Sequence, residues 1–163
     1  MDEDIIEKAK CYAAQHAKRV SERLGFGIHG SVFVLEGNSD FGASAVKIIR
    51  DRAAFFRECD AYERLREHGV FEICGFHVPQ LLSYDESLLA VEMTVVKPPF
   101  VLDFAAAYLD WPPKFSDEVW DERRAKWADE FGDDWPMVQR ILSEFEDLGI
   151  YMLDPSPANI RFR

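Results

Sequence analysis

Residues 25–32 read GFGIHGSV, with glycines at Gly25, Gly27 and Gly30. In dinucleotide-binding folds this spacing leads into a helix, but here the residues that follow, 31–36 (SVFVLE), are mostly β-branched or large and apolar and predict a strand. The stretch therefore predicts a β-hairpin rather than a strand-to-helix turn. Glycines in such a hairpin let phosphate oxygens approach the backbone N–H groups. An ordinary glycine-rich hairpin is the alternative.

A lysine lies in the middle of the next predicted strand. Lys47 follows the last of these glycines by 17 residues, and its neighbours in strand 43–50 are apolar. A lysine there must reach solvent or bind an anion, and a phosphate group is the candidate anion. The helix predicted over 52–68 carries Glu58 near its middle, where a carboxylate can hold the lysine ammonium. Glu63 is the alternative partner, and exposed side chains on a strand and a helix are the simpler interpretation.

The remaining elements follow from apolar spacing and turn residues. We predict a first helix over 3–23, where apolar residues recur at helical spacing. Strands first and helices later predict an α+β fold with an antiparallel sheet. The other predicted elements are strands 80–84 and 87–96, helices 101–110, 116–131 and 135–148, and a strand-like pair around residues 154–159.

A second group of polar residues lies in the segment 151–160, which reads YMLDPSPANI. Asp154 and Asn159 are five residues apart there, between short apolar runs and after an amphipathic helix. Aspartate and asparagine together with prolines also form ordinary turns. The pattern therefore indicates either a functional loop or a simple turn.

The order of these four features resembles the protein-kinase-like superfamily, which includes protein kinases and the small-molecule kinases of aminoglycosides and choline. The resemblance implies a nucleotide-binding N-terminal lobe over 24–97, built of an antiparallel sheet and a helix. It implies a reduced helical C-terminal lobe over 98–163 and an additional N-terminal helix over 1–23. It also implies ATP as the nucleotide and Mg²⁺ as its metal ion.

The resemblance also assigns roles to individual residues. The implied catalytic residues are Lys47, Glu58 and Asp154, and the implied magnesium ligand is Asn159. The implied nucleotide-binding residues are Gly25, Gly27, Gly30, Val32, Lys47, Glu92 and Thr94, the last two in a segment, 90–94, that looks like the adenine-contacting hinge. As a strand lysine, Lys47 is expected to add little to packing, so Lys47→Ala is expected to leave the melting temperature of the unliganded protein nearly unchanged.

Two departures from the family pattern bear on activity. Met152 and Leu153 stand where the family usually has His and Arg. No Asp-Phe-Gly sequence follows Asn159, so the carboxylate that is the family's stronger magnesium ligand is expected to be missing. The sequence leaves two predictions open: a weak ATP-dependent phosphotransferase, or a non-catalytic, pseudokinase-like binding module. An inactive relative of such enzymes is a third and simpler account.

Charge and cysteine content argue against several other classes. The net charge of −11 does not suit a general nucleic-acid surface or an anionic membrane surface. No apolar run is long enough to span a bilayer, and the acidic N-terminus does not resemble a secretory signal. Cys11, Cys59 and Cys74 have neither disulfide nor zinc spacing, so we predict reduced thiols in a cytoplasmic protein. Residues 116–147 carry eleven acids and four bases, which indicates a solvated helix face or a surface for a protein partner.

Overall fold

The computed structural model describes residues 2–37 and 42–163. Its helices are α1 (Asp2–Gln15), α2 (Arg52–Glu67), α3 (Asp117–Phe131) and α4 (Trp135–Asp147), with a 3₁₀ turn at Gly132–Asp134. Its strands are β1 (Lys18–Phe26), β2 (Gly30–Gly37), β3 (Ser44–Ile49), β4 (Glu72–Ile73), β5 (Phe76–His77), β6 (Leu81–Asp85), β7 (Ala90–Thr94), β8 (Phe100–Val101), β9 (Tyr108–Leu109), β10 (Ile150–Tyr151) and β11 (Ile160–Arg161). Within the described ranges, no helix has the length and apolar character needed to cross a membrane.

An antiparallel sheet with a helix on each face forms the first half of the molecule. Its strand order is β1-β2-β3-β7-β6. α1 packs on one face, where it covers Val46 and Ile48 of β3, and α2 packs on the other, where it covers Ala45 and Ile49. Because both faces are covered, β3 is buried along its whole length. The predicted α+β class, the antiparallel sheet and the helix predicted over 52–68 are confirmed.

The first helix is shorter than the sequence predicted. α1 ends at Gln15, and residues 18–26 form β1 instead of the last turns of a helix over 3–23. Ala17 has a left-handed φ of 54°, and a right-handed helix cannot continue through such a residue. β1 pairs along its length with β2. These long-range backbone hydrogen bonds override the helical spacing of the local sequence.

The short helix predicted over 101–110 is not formed. The segment instead contains residues of β8 and β9, which pair antiparallel with β11 and β10 respectively. Asp103 and Asp110 have φ values of 73° and 68°, which a right-handed helix does not allow. The segment is therefore joined by strand pairing to the residues that follow α4, far along the chain.

A single apolar core extends from the α2 face of the sheet into α3 and α4. The ring of Phe104 lies between Tyr62 of α2 and Phe145 of α4, with centroid separations of 5.1 Å and 5.4 Å in edge-on contacts. Phe104 is completely buried. Because its ring is held in this way, the residue before it, Asp103, is placed between the sheet and the helical half of the molecule.

Candidate functional site

Lys47 lies at the centre of the sheet, on the face covered by α2. Its register neighbours are Val32 of β2 and Val91 of β7, and its side chain is buried, with 6% of the residue surface exposed. The ammonium Nζ donates hydrogen bonds to Glu58 Oε2 at 3.0 Å and to Asp103 Oδ1 at 2.8 Å. The lysine therefore meets anions rather than solvent, which is one of the two outcomes its position in the sequence allowed.

Glu58 is the α2 carboxylate that reaches the lysine. It faces the sheet and is fully buried, whereas Glu63, the alternative partner, lies on the outer part of the helix with Arg66 at 3.4 Å. Glu58 Oε1 accepts no hydrogen bond from any described residue. One oxygen of a buried carboxylate is thus held by Lys47 while the other is unsatisfied.

Asp103 is the third member of this cluster, and the sequence analysis did not select it. It follows β8 by two residues, and its Oδ1 also accepts a hydrogen bond from the Ala105 backbone N–H at 3.3 Å. β8 pairs with β11, with Val101 opposite Ile160. The Leu102 N–H donates to the Asn159 carbonyl at 2.9 Å. This pairing places Asp103 beside the loop that carries the other two predicted site residues.

That loop, 154–159, is a tight turn between β10 and β11. The backbone N–H of Asn159 donates to the Ser156 carbonyl at 2.9 Å, and its side-chain Nδ2 donates to the Asp154 carbonyl at 3.2 Å. The Asp154 carboxylate accepts no hydrogen bond from the described residues, and Asp154 is exposed. The turn thus directs its own hydrogen bonds inward and leaves the Asp154 carboxylate available.

The charges around Lys47 are strongly coupled. Burial alone would lower the pKa of Lys47, but attraction to Glu58 and Asp103 outweighs burial and raises the pKa. Burial would raise the pKa of Asp103, but Lys47 holds it below its usual value. For Glu58, burial dominates and the pKa is raised, even though Lys47 lowers it in part. Asp103 is therefore the firmly ionised partner of the lysine, and Glu58 is the carboxyl group that takes up a proton more readily.

The carboxyl group of Asp154 has a raised pKa. Partial desolvation is the main cause, and repulsion by the nearby Asp103 adds to it. His29, at the turn between β1 and β2, lowers the pKa of both Asp103 and Asp154 by attraction. The tip of the glycine-rich hairpin is therefore close enough to act electrostatically on both aspartates.

The glycines of the hairpin differ in what they do for the fold. A Cβ on Gly30 would lie 2.0 Å from the Ile48 carbonyl oxygen, whereas a Cβ on Gly25 or Gly27 would meet nothing within 4 Å. Gly30 is required by close backbone packing. Gly25 and Gly27 are not required by any described neighbour, and the space beside them is free for a ligand.

The hairpin turn is tied to β3 by Arg50. Its Nη1 donates to the Gly27 carbonyl at 2.6 Å, and its backbone N–H donates to the His29 carbonyl at 3.0 Å. The Gly27 N–H donates to the Gly30 carbonyl at 2.8 Å. The turn is thus held in one position relative to the strand that carries Lys47.

Glu92 and Thr94 lie on the opposite face of the sheet from Lys47. Glu92 is opposite Val46 in the β3–β7 ladder, and its buried carboxylate binds Lys18, Ser44 and the Tyr12 hydroxyl on the α1 side. Thr94 Oγ1 accepts a hydrogen bond from the Gln80 N–H at 2.9 Å. The structure does not bring these two side chains to the Lys47 side of the sheet, because successive side chains on a strand point to opposite faces.

The β7 side chains on the Lys47 face are instead Val91 and Met93, which pack with Ala45 of β3 in the α2-side core. Val32, predicted as a nucleotide-binding residue, is on this face directly beside Lys47. The side chains next to Lys47 on this face of the sheet are therefore apolar.

The described residues contain no group of three or more His, Cys, Asp or Glu side chains arranged to hold a metal ion on their own. Cys11, Cys59 and Cys74 are unpaired. Burial raises the pKa of the Cys59 thiol to about 12, so this cysteine behaves as a small core residue.

Similarity to known proteins does not indicate a function for this chain, so a function has to be inferred from the contacts described above. None of the models of known protein families, the curated proteins or the solved structures matches this chain.

A sequence signal for Asp103 was present. Residues 100–105 read FVLDFA, an apolar run followed by an aspartate and a phenylalanine. The helix predicted over 101–110 obscured this signal, because that interpretation treats the same apolar residues as one helix face. The signal becomes clear only once β8 is seen to pair with β11.

Proposed function

We propose that this chain is an ATP-dependent phosphotransferase of the protein-kinase-like kind, with the nucleotide bound between the hairpin at residues 25–30 and Lys47. The main support for the proposal is the position of the buried Lys47 side chain. Its Nζ lies 3.0 Å from Glu58 Oε2 and 2.8 Å from Asp103 Oδ1. A lysine held by a helix glutamate below a glycine-rich hairpin is the arrangement that positions nucleotide phosphates in that superfamily.

Asp103 supplies the carboxylate that the sequence analysis expected to be missing. In the superfamily an Asp-Phe-Gly segment follows the catalytic loop, whereas here Asp103-Phe104-Ala105 precedes it in the chain. The pairing of β8 with β11 and of β9 with β10 supports the equivalence, because it lays this segment along the strands on both sides of the 154–159 loop. In this proposal the aspartate segment and the loop with Asp154 and Asn159 correspond to the two segments of the superfamily, but they follow each other along the chain in the reverse order.

The donor atoms available fit Mg²⁺. Asp103 and Asn159 present a carboxylate and an amide oxygen on adjoining segments, and Mg²⁺ prefers oxygen ligands and retains water readily. In this proposal the ion would have two protein ligands, with phosphate oxygens and water completing its coordination. When bound, Mg²⁺ neutralises charge on the phosphates.

The other steps of phosphate binding and proton transfer are assigned to side chains and backbone groups of this chain. Lys47 orients the phosphates and Glu58 keeps the ammonium in place. Hairpin N–H groups that are not used within the turn, unlike that of Gly27, would face the phosphates. Asp154 accepts the proton of the attacking hydroxyl group, and its raised pKa brings it closer to the value that favours proton transfer near neutral pH.

A thermal-shift titration with ATP tests the proposal, with and without Mg²⁺. Saturation at one hundred times Kd adds about 2.7 kcal/mol to the free energy of unfolding, so the melting temperature should rise by roughly 5–10 °C in a chain of this size. ATP hydrolysis or transfer measured on the same protein then separates an enzyme from a pseudokinase-like binding module. The absence of any shift at millimolar nucleotide contradicts both nucleotide-dependent interpretations and favours a protein-binding module.

A further inference from the structure

A groove separate from the Lys47 site lies between α3 and α4. Its volume is about 380 Å³, and its walls include the indole rings of Trp120, Trp127 and Trp135. The Trp127 and Trp135 ring centroids are 6.4 Å apart, inclined at 50°. Trp127 is nearly buried, while Trp120 and Trp135 are partly exposed, so the groove has an apolar floor and open aromatic sides.

The rim of the groove extends this aromatic surface. Pro112 lines it, and the neighbouring Trp111 has 79% of its surface exposed. Tyr151 also lines the groove and is partly exposed. Tryptophan and tyrosine are the residues that most often carry binding energy in protein interfaces. Two partly exposed indoles in one groove, with the exposed Trp111 beside it, indicate a binding site rather than a solvated helix face.

The two helices that form the groove are strongly negative as a whole. Residues 116–147, which form both helices, carry eleven acids and four bases. Glu146 lines the groove, and burial raises the pKa of its carboxyl group, with Arg124 lowering it in part. No described residue donates a hydrogen bond to that carboxylate, so it lacks a full partner.

The groove already holds one cation of the protein itself. The guanidinium of Arg124 lies 5.7 Å from the ring centroid of Trp120 and 3.3 Å from Asp121 Oδ1. An indole face and a carboxylate together form a favourable site for a guanidinium or ammonium group. Arg124 also lies close enough to attract Glu146, so one guanidinium is shared by two carboxylates of α3 and α4.

We propose that this groove binds a basic amphipathic segment of a protein partner. An apolar side chain of that segment inserts between the indole rings, and its lysine or arginine residues pair with Glu146 and the neighbouring acids. Charge complementarity selects a basic segment, and the apolar floor requires that it also carry large apolar side chains. The proposal goes beyond phosphotransfer and does not depend on it, since none of its residues contacts Lys47, Glu58 or Asp103.

Fluorescence anisotropy at physiological ionic strength, without nucleotide, tests the proposal with two labelled peptides. One is an amphipathic leucine–lysine peptide with leucines at helical spacing, and the other has the same lysines with serine in place of leucine. We expect the leucine peptide to bind at least about tenfold more tightly. Equal binding of the two peptides, or no binding, overturns the proposal.

Matched protein variants locate the binding. Asp121→Lys/Glu146→Lys and Glu3→Lys/Glu7→Lys change the net charge equally. Glu146 lines the groove and Asp121 pairs with Arg124, which also lines it, whereas Glu3 and Glu7 lie on α1. We expect the first double variant to bind the leucine peptide about tenfold more weakly than the natural chain, and the second to bind it with nearly the same affinity. If both double variants lose affinity for the leucine peptide to a similar extent, binding depends only on net charge, and the proposal is overturned.

A side-chain truncation completes the set. Trp120→Ala removes a partly exposed indole from the wall of the groove. We expect it to lower the affinity for the leucine peptide by about tenfold and to leave the affinity for the serine peptide unchanged. Circular dichroism and the melting temperature without ligand show whether each variant is folded. Competition by tetramethylammonium alone, with no preference for the leucine peptide, assigns the groove to small cations and also overturns the proposal.

Discussion

The Lys47 ammonium is shared by the fully buried Glu58 carboxylate, which has an unsatisfied oxygen, and the half-buried Asp103 carboxylate. Asp103 accepts hydrogen bonds from both the lysine and the Ala105 N–H, while Glu58 Oε1 accepts none from the described residues. Such a cluster is costly to disturb, because removing the lysine leaves two desolvated or partly desolvated carboxylates without their ion-pair partner.

Lys47→Met is therefore expected to lower the free energy of unfolding by about 3–5 kcal/mol. This replaces the expectation from sequence that substitution of Lys47 would leave stability nearly unchanged, since the lysine is buried and paired rather than exposed. Urea denaturation at neutral pH measures the loss. The double variant Lys47→Met/Glu58→Gln should recover part of it, and a loss of less than about 1 kcal/mol for the single variant contradicts the buried-pair description.

Asp154→Asn is expected to increase stability at neutral pH. The folded-state pKa of Asp154 is raised by desolvation and by Asp103, so its ionised form costs folding free energy at every pH above that folded value. The cost disappears as the pH falls towards the ordinary aspartate pKa, because the group is then protonated in both states. Melting temperatures of both proteins between neutral and acidic pH should converge on acidification, and a constant difference speaks against this assignment.

The same substitution should affect turnover. Asparagine keeps the shape of the side chain and removes the proton acceptor, so the phosphotransfer rate should fall by roughly 10²–10⁴-fold. The ATP-induced thermal shift should remain. An unchanged rate removes Asp154 from the proton-transfer role, while an equal loss of nucleotide binding points to a structural effect.

Among the elements, the β1–β2 hairpin combines a glycine that the fold requires with two that it does not. Gly30 lies against the Ile48 carbonyl, and Gly25 and Gly27 border open space. Arg50 anchors the turn through two backbone carbonyls. The hairpin is thus rigid where it meets the sheet and unobstructed where phosphates are proposed to lie.

Two alanine substitutions separate these properties. Gly30→Ala should destabilise the protein by about 1–3 kcal/mol, because the methyl group would contact backbone atoms. Gly27→Ala should leave stability unchanged or raise it by about 0.4–1 kcal/mol and should reduce the ATP-induced thermal shift, since a methyl group there blocks the approach of phosphate. Denaturation and ATP titration of both variants provide the test, and a full ATP shift in Gly27→Ala contradicts the proposed phosphate position.

At the scale of the whole molecule, the segment between the sheet and α3 joins the two halves. It contributes Asp103 to the cluster on α2 and β3, Phe104 to the common core, and β8 and β9 to pairs with β11 and β10. Strand pairing, packing and charge at the site are therefore connected through a few residues.

The proposed metal role of Asp103 can be tested without measuring turnover. In the natural chain Mg²⁺ should increase the ATP-induced thermal shift, and in Asp103→Asn the shifts with and without Mg²⁺ should be equal. Asp110→Asn is the matched control, because Asp110 also lies just after a short strand but pairs with Arg64 at the surface. A Mg²⁺ effect that survives in Asp103→Asn shows that another group holds the ion.

The features determined by the sequence alone are those encoded within a few residues. The glycine hairpin, the helix that carries Glu58, and the spacing of Asp154 and Asn159 all follow from periodicity and turn chemistry, which act locally. The placement of Lys47 near the middle of a strand follows from its apolar neighbours in the same way, but its burial does not, since an exposed strand face was the simpler interpretation of the sequence.

The tertiary structure alone decided which distant residues meet. Residues 18–26 pair with β2 rather than extending α1, Glu92 turns to the face opposite Lys47, and Asp103 joins the site from a segment that local spacing assigned to a helix. Each of these outcomes depends on pairing between strands far apart in sequence. The hydrogen bonds and packing of such pairs exceed the small differences in local propensity from which a single stretch of sequence is interpreted.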